Sequence, residues 1–218
     1  MSIQNTLSFL DELRQNNNRA WFQEHKSKYD EALAEFEDFL RVVIADLSRI
    51  DSSFSFVEPK ECIYRIYRDV RFSRDKTPYE PSFRAHVAEH GRKSISTGVY
   101  ISLTPGSSFL GGGVHSMTPE VTRLVRDSIA SNDKKFYNIV KALDFTIEGE
   151  KLKSVPKGYD DNLLSAEYLK HKSWLVMKPL SKESLKSYDG LRVAVVDFFQ
   201  KIQPLYMFFN NAIRDLNN

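Results

Sequence analysis

Residues 99–115, VYISLTPGSSFLGGGVH, contain two short apolar runs on either side of a turn signal. In TPGS, Pro105 presets the φ angle of the second turn position, and Gly106 permits a positive φ at the third. β-Branched and aromatic residues dominate the first run, as expected of a strand. The segment therefore predicts a β-hairpin, and a tight hairpin connection requires that its two strands pair antiparallel.

Further strand signals lie near this hairpin and again late in the chain. FRAHVAEHG at residues 83–91 and SWLVMKPL at residues 173–180 both have strand composition, and Pro179 closes the second. The segment ECIYRIYRDVRF, residues 61–72, fits either a strand or a helix by its periodicity. Its tyrosine, isoleucine, valine and phenylalanine content favours the strand. The sheet-rich region is predicted to span residues 54–116, with one extra strand near 173–178.

The two ends of the chain have helical periodicity. Residues 5–50 predict a short helix followed by a long amphipathic helix, with Asn17 or Asn18 as the N-cap. Residues 118–216 predict further helices, the first capped by Thr118 and a later one broken before Pro204. Strands grouped in the middle with helices at both ends indicate an α+β fold: a central, largely antiparallel sheet with helices from the N- and C-terminal thirds packed around it. The length of 218 residues favours a single domain over 1–218.

Composition excludes several classes of protein. The chain is 41% hydrophobic with a net charge of only +2, which argues against extensive disorder and against a surface that grips nucleic acid throughout. Cys62 is the single cysteine, so neither an internal disulfide nor a cysteine-based zinc site is expected. No signal peptide and no run of about 18 apolar residues is evident, and a cytoplasmic protein with no membrane association is expected.

Positive charge is concentrated in the middle of the chain. Residues 60–93 contain nine basic residues against five acidic ones. Guanidinium groups present planar donor forks that suit phosphate and carboxylate. The hypothesis is a site for an anionic, phosphate-bearing small molecule formed by Arg65, Arg68, Arg71, Arg74, Lys76 and Arg84.

Two other interpretations of the same residues stay open. The arginines can form structural salt bridges with Asp69 and Asp75. Alternatively, the basic and aromatic surface can serve as an interaction module for a protein or a nucleic acid, although the low net charge argues against nucleic acid. A phosphoryl hydrolase would need a metal cluster that the sequence does not show. No metal, cofactor or catalytic residue is assigned, and the oligomeric state is left open.

Weaker candidates have simpler structural explanations. Gly111, Gly112 and Gly113 precede a predicted helix, but their spacing matches no nucleotide motif and favours a close backbone approach in an edge strand. His86 and His90 share a face without a clear third metal ligand. Cys62 resembles a buried small hydrophobic residue more than a nucleophile.

Four segments together resemble the domain-of-unknown-function 2461 family of conserved hypothetical proteins. They are NNNRAWFQEHKSKYDEA (16–32), YRIYRDVRFSRDKTPYEPSF (64–83), SFLGGGVHSMTPE (108–120) and VPKGYDDNLLSAEYLKHKSWLVMKPL (155–180). The resemblance covers most of the chain and implies a soluble, single-domain protein of bacterial or fungal type. It implies no catalytic residue, because the family carries no established activity.

Overall fold

Four antiparallel strands form a sheet in the order β1-β2-β3-β4. The structure is a computed structural model that describes residues 3–115 and 118–216, without the side chain of residue 215. The strands are β1 (Phe83–Val87), β2 (Val99–Leu103), β3 (Phe109–Val114) and β4 (Trp174–Pro179). The predicted α+β class with an antiparallel sheet is confirmed, and β4 confirms the predicted late strand.

The predicted hairpin is formed by β2 and β3. The Ser107 N–H donates to the Thr104 carbonyl at 3.0 Å, and Gly106 has a φ of 79°. The tight turn thus has the geometry that its proline and glycine predict. β3 pairs with both β2 and β4, so it is an internal strand, and the interpretation of its glycines as part of an edge strand is wrong.

Helices cover most of both ends of the chain. In the N-terminal part these are α1 (Ile3–Gln15), α2 (Arg19–Glu24), α3 (Lys26–Ile50) and the short α4 (Pro59–Cys62). In the C-terminal part they are α5 (Pro119–Ser131), α6 (Asp133–Ala142), α7 (Ala166–Leu169) and α8 (Tyr188–Ile213). Short 3₁₀ turns lie at Ser52–Phe54, Gly91–Lys93 and Arg214–Leu216. Residues 143–165 contain no helix, so the predicted helical region 118–216 is interrupted there.

Two local helix predictions need correction. The long helix predicted after Asn18 is interrupted at His25, although Asn18 does cap α2 by accepting the Trp21 N–H at 3.0 Å. The break predicted before Pro204 is absent, because α8 continues through this residue. Pro204 and Gln200 both lie on the exposed side of α8, so water can hydrate the carbonyl that loses its helical donor.

The strand predicted over residues 61–72 is also wrong. The chain instead leaves α4 at Cys62 and makes two isolated bridges, between Ile63 and Ala85 and between Tyr67 and Tyr79. The second bridge closes the segment back on itself, with prolines at 78 and 81 that cannot donate ladder hydrogen bonds. Residues 68–78 therefore form a closed surface loop, which we call the arginine loop.

One face of the sheet is covered by α8 and the other is left open. The covered face contributes Val99, Ile101, Leu110 and Val176 to the hydrophobic core. α8 packs against β3 and also against α3 and α5. Among the described residues, no helix is long and apolar enough to cross a membrane.

Candidate functional site

A cleft of about 670 Å³ lies on the open face of the sheet. Successive strand residues point to opposite faces, so residues that alternate with the core positions meet here. The strands contribute His86, Tyr100, Phe109, Gly111, Leu175 and Met177 to its lining. Tyr64, from the segment after α4, and Arg92, from the 3₁₀ turn, complete one wall. The lining contains no aspartate or glutamate among the described residues.

Two arginines lie at or beside this wall: Arg92 is part of the lining, and Arg84 lies next to Tyr64. Arg84 lies on the outward face of β1, and its guanidinium carbon is 5.7 Å from the centre of the Tyr64 ring. Arg92 Nη1 donates to the carbonyls of Lys60 at 3.1 Å and Glu61 at 2.9 Å, which fixes it at the end of α4. Neither arginine has a carboxylate oxygen within 4.0 Å among the described residues. Neither of these two positive charges therefore forms a salt bridge within the described part of the chain.

The donor groups of Arg84 are only partly used. Its Nε is buried and has no hydrogen-bond partner in the described part of the chain. Leaving a buried donor unsatisfied costs about 1–3 kcal/mol, more when the group is charged. An unpartnered buried donor of this kind suggests that an acceptor from outside the chain, such as a water or a ligand oxygen, binds next to the Arg84 Nε.

Tyr64, Tyr100 and His86 stay neutral near pH 7. Burial raises the pKa values of Tyr64 and Tyr100; Arg84 opposes both shifts, and Glu80 adds a small increase at Tyr100. Both phenols therefore remain hydrogen-bond donors. Burial lowers the pKa of His86 to about 4, so its imidazole is uncharged. None of these three side chains thus adds charge to that of the arginines.

Three aromatic rings form a row along the cleft. The ring centres of Tyr64 and Tyr100 are 6.0 Å apart, and those of Tyr100 and Phe109 are 5.8 Å apart. Both separations lie in the range of favourable aromatic contacts. Arg84 lies beside Tyr64 and acts electrostatically on both Tyr64 and Tyr100, so the positive charge lies on the tyrosine side of the row and the Phe109 end is apolar.

Most residues of the predicted arginine site lie in or beside the arginine loop, away from this cleft. Arg68 Nη1 donates to Asp75 Oδ2 at 2.5 Å and also contacts the Thr77 hydroxyl and carbonyl. Arg71 forms a two-point contact with Asp69, at 3.0 and 2.7 Å. Arg68 and Arg71 thus stabilise the arginine loop through ion pairs within it, in the manner of the salt-bridge interpretation.

Electrostatics within the loop agree with this geometry. The Thr77 N–H and then Arg68 lower the pKa of Asp75 to about 2, and Arg71 lowers that of Asp69. Lys76 Nζ donates to the Val70 carbonyl at 3.0 Å. Most of the polar groups at this loop are therefore already satisfied.

The six predicted residues thus separate into three groups. Arg68, Arg71 and Lys76 are engaged within the loop, whereas Arg65 and Arg74 are exposed with no carboxylate within 4.0 Å among the described residues. Only Arg84 lies beside the cleft. Sequence reasoning did not assign Arg92, Tyr64 or Tyr100 to a site, because their proximity depends on the packing of α4 and the 3₁₀ turn against β1. The strand alternation of Arg84 and His86 was the available signal.

The remaining sequence candidates do not form a second site. His86 lies in β1, whereas His90 is exposed with a left-handed φ of 65°. Cys62 is buried, and burial raises its pKa to about 12, which keeps the thiol protonated. Within residues 3–115 and 118–216, no three His, Cys, Asp or Glu side chains are grouped as metal ligands.

Fold and cleft define an α+β protein with one sheet face covered by helices and the other open and basic. The chain belongs to the family described as "Conserved hypothetical protein (DUF2461)", which matches residues 5–208. The resemblance of its motifs to that family is therefore confirmed. No significantly similar protein was found among curated proteins or among solved structures.

Proposed function

We propose that the protein binds a small anionic ligand in the cleft, with Arg84 and Arg92 as its charge partners. One observation carries this proposal: Arg92 lines the cleft and the Arg84 guanidinium lies 5.7 Å from the centre of the Tyr64 ring that lines it, and neither has a carboxylate oxygen within 4.0 Å among the described residues. Arginine binds phosphate and carboxylate through charge-assisted hydrogen bonds, which are about twice as strong as neutral ones. The low-dielectric walls concentrate the field of the two charges in the cleft.

The surrounding groups favour an anion over a cation. The phenols of Tyr64 and Tyr100 are protonated donors, and the lining contributes no acidic side chain among the described residues. An anionic oxygen near Arg84 would also supply an acceptor for its buried Nε. Of the six arginines and lysines predicted from the sequence, this proposal retains Arg84 and adds Arg92.

Thermal unfolding with added inorganic phosphate or sulfate tests the proposal, with sodium chloride at equal ionic strength as the reference. A ligand present at 100 times its Kd stabilises the native state by about 2.7 kcal/mol. We expect the shift in Tm to disappear in Arg84→Gln and Arg92→Gln and to persist in Arg71→Gln, whose side chain pairs with Asp69 outside the cleft.

A decrease in basal stability of the Arg84 or Arg92 variants does not affect the test, because each variant is compared with itself in sodium chloride. Equal shifts in all four proteins would mean that the anions act at the surface in general. If the Tm of the unmodified protein does not shift with phosphate or sulfate up to about 50 mM, the proposal is contradicted, because a ligand bound to the native state must raise Tm.

A second candidate function uses the arginine loop as a docking element for an acidic protein. Phe72 is 94% exposed at this loop, with the Arg71 guanidinium 5.8 Å from its ring centre. Arg65 and Arg74 add exposed charges without carboxylate partners. Because Arg68 and Lys76 fix the loop, binding would lose little conformational entropy.

A fluorescent peptide of alternating glutamate and leucine tests this second function by anisotropy. We expect binding that weakens at least tenfold in Phe72→Ala and is unchanged in Phe56→Ala, an equally exposed phenylalanine outside the loop. Preferential binding of an oligothymidine of the same length would instead identify a nucleic-acid surface and contradict the acidic-protein proposal.

A further inference from the structure

We infer that the ligand of the cleft carries a planar aromatic ring next to its anionic group, as nucleoside monophosphates and aryl phosphates do. The inference rests on the proposed function and narrows its ligand class. It follows from the aromatic and apolar residues that line the rest of the cleft. Away from the arginines, Phe109, Leu175 and Met177 line the cleft, and inorganic anions and sugar phosphates have no aromatic surface to bury against these side chains.

The row of rings supplies the first part of the argument. Arg84 adjoins Tyr64, and the row continues through Tyr100 to Phe109 in steps of 6.0 and 5.8 Å. An anionic group held at the arginines therefore directs the rest of a ligand along aromatic faces. Stacking of a ligand ring on such a face raises affinity by about 5- to 150-fold per ring.

The middle of the cleft has the width of one ring. In the sheet register Gly111 lies between Tyr100 on β2 and Met177 on β4. Two strand spacings of about 4.7–4.9 Å separate the flanking residues, whereas van der Waals contacts on both sides of a flat ring need about 7–8 Å. Gly111 contributes no side chain to this gap, and the atoms nearest to its missing Cβ are Tyr100 Cβ at 3.6 Å, Phe109 Cε2 at 3.8 Å and Tyr100 Cδ1 at 3.9 Å. The space above Gly111, which we call the slot, is therefore bordered by the Tyr100 and Phe109 rings, with Met177 on the neighbouring strand.

Gly111 is the one glycine of the three whose packing does not require the absence of a side chain. A Cβ at this position would meet nothing closer than Tyr100 Cβ at 3.6 Å, which is ordinary contact. A Cβ at Gly112 would lie 2.4 Å from Ile202 Cδ1, and one at Gly113 would lie 2.1 Å from the Trp174 carbonyl oxygen. Core packing therefore accounts for Gly112, the positive φ and the close Trp174 backbone account for Gly113, and the open slot accounts for Gly111.

The polar groups around the slot suit the edge of a heteroaromatic ring. His86 is neutral, so its imidazole can donate from one nitrogen and accept at the other. It is the direct cross-strand neighbour of Tyr100. Met177 is 41% exposed and offers a polarisable sulfur, which packs well against aromatic rings.

Isothermal titration calorimetry of the full chain tests the inference with matched probes: phenyl phosphate and adenosine monophosphate against ribose 5-phosphate and inorganic phosphate. We expect both ring-bearing probes to bind at least tenfold more tightly. Met177→Ser should reduce their affinity toward that of inorganic phosphate and leave inorganic phosphate itself unchanged. Tyr100→Leu, which also removes a phenol donor, should weaken the ring-bearing probes more than it weakens inorganic phosphate. Met207→Ser, an exposed methionine on α8, is the matched control.

Gly111→Val provides an independent variant, because valine suits a strand and fills the slot from its floor. We expect it to fold, as judged by circular dichroism, and to lose only the advantage of the ring-bearing probes. Equal affinities for all four probes in the unmodified protein would overturn the inference and leave the anion site intact. If none of the four probes binds, both the ring inference and the anion site are overturned. Adenosine serves as a fifth, uncharged probe, and if it binds as tightly as adenosine monophosphate, the anion site is overturned.

Discussion

The three consecutive glycines of β3 should respond to alanine in a strict order. Gly111→Ala adds a methyl group that meets only ordinary contacts. Alanine restricts the unfolded chain more than glycine does, so this variant is expected to match the parent or to gain about 0.5–1 kcal/mol. It is the tolerant member of the series.

The other two substitutions meet occupied space. At Gly112 the new methyl group would lie 2.4 Å from Ile202 Cδ1, the end of a buried side chain that can shift. Overpacking of this kind, less the gain in backbone entropy, gives a net loss of roughly 0.5–2 kcal/mol. At Gly113 the φ is 106° and the methyl group would lie 2.1 Å from the Trp174 carbonyl oxygen. Backbone strain and the clash together predict a loss of roughly 2–5 kcal/mol.

Urea denaturation followed by circular dichroism measures these differences, provided that the slope m stays constant across the series. For a chain of this length, 1 kcal/mol corresponds to about 2–4 °C in Tm. If Gly113→Ala proved as stable as the parent, or if Gly111→Ala proved the least stable of the three, the sheet register and the inward and outward assignment of β3 would both be refuted.

Further predictions concern pH, the loop anchor and the C-terminal helix. Burial lowers the pKa of His86 to about 4 in the folded protein, against about 6.5 in the unfolded chain, so the free energy of unfolding should fall as pH decreases from 6.5 toward 4. His86→Asn should reduce this pH dependence between pH 7 and 5. An unchanged dependence would contradict the buried, neutral state of His86. Asn17→Ala removes two hydrogen bonds to the Tyr79 backbone, at 2.9 and 3.1 Å, and should cost about 1–3 kcal/mol in urea denaturation, whereas Asn16→Ala, with one exposed bond, should cost less. Pro204→Ala restores a donor inside α8 and should raise Tm; a lower Tm would show that the proline is required by local packing.

Local chemistry accounts for what could be predicted from the sequence. Pro105 and Gly106 specify a turn through their own φ preferences, and Asn18 caps α2 by accepting the N–H of Trp21, three residues further along the chain. The alternation in β1 and the composition of β4 likewise express the environment of a sheet with one buried face. Such signals survive in the sequence because the interacting groups are neighbours along the chain or repeat with a regular period.

The candidate site depended on contacts that no period encodes. The even spacing of Arg65, Arg68, Arg71 and Arg74 suggested a common surface, yet no strand forms there and the loop uses Arg68 and Arg71 internally. Two isolated bridges, one to β1 and one within the segment, decide that conformation. A short aromatic and charged segment can fit a strand or a loop, and long-range pairing selects between them.

The sequence by itself determined the class of fold, the hairpin at its centre and the presence of concentrated positive charge. Only the tertiary structure decided which positive groups adjoin a cleft. Arg92 is held near Tyr64 by hydrogen bonds to the carbonyls of Lys60 and Glu61, about thirty residues earlier in the chain, and no sequence period encodes these contacts. The distinct roles of Gly111, Gly112 and Gly113 likewise depend on Tyr100, Ile202 and Trp174, three residues from separate elements. Charge and periodicity are properties of the chain, whereas unpaired charge and empty space are properties of its packing.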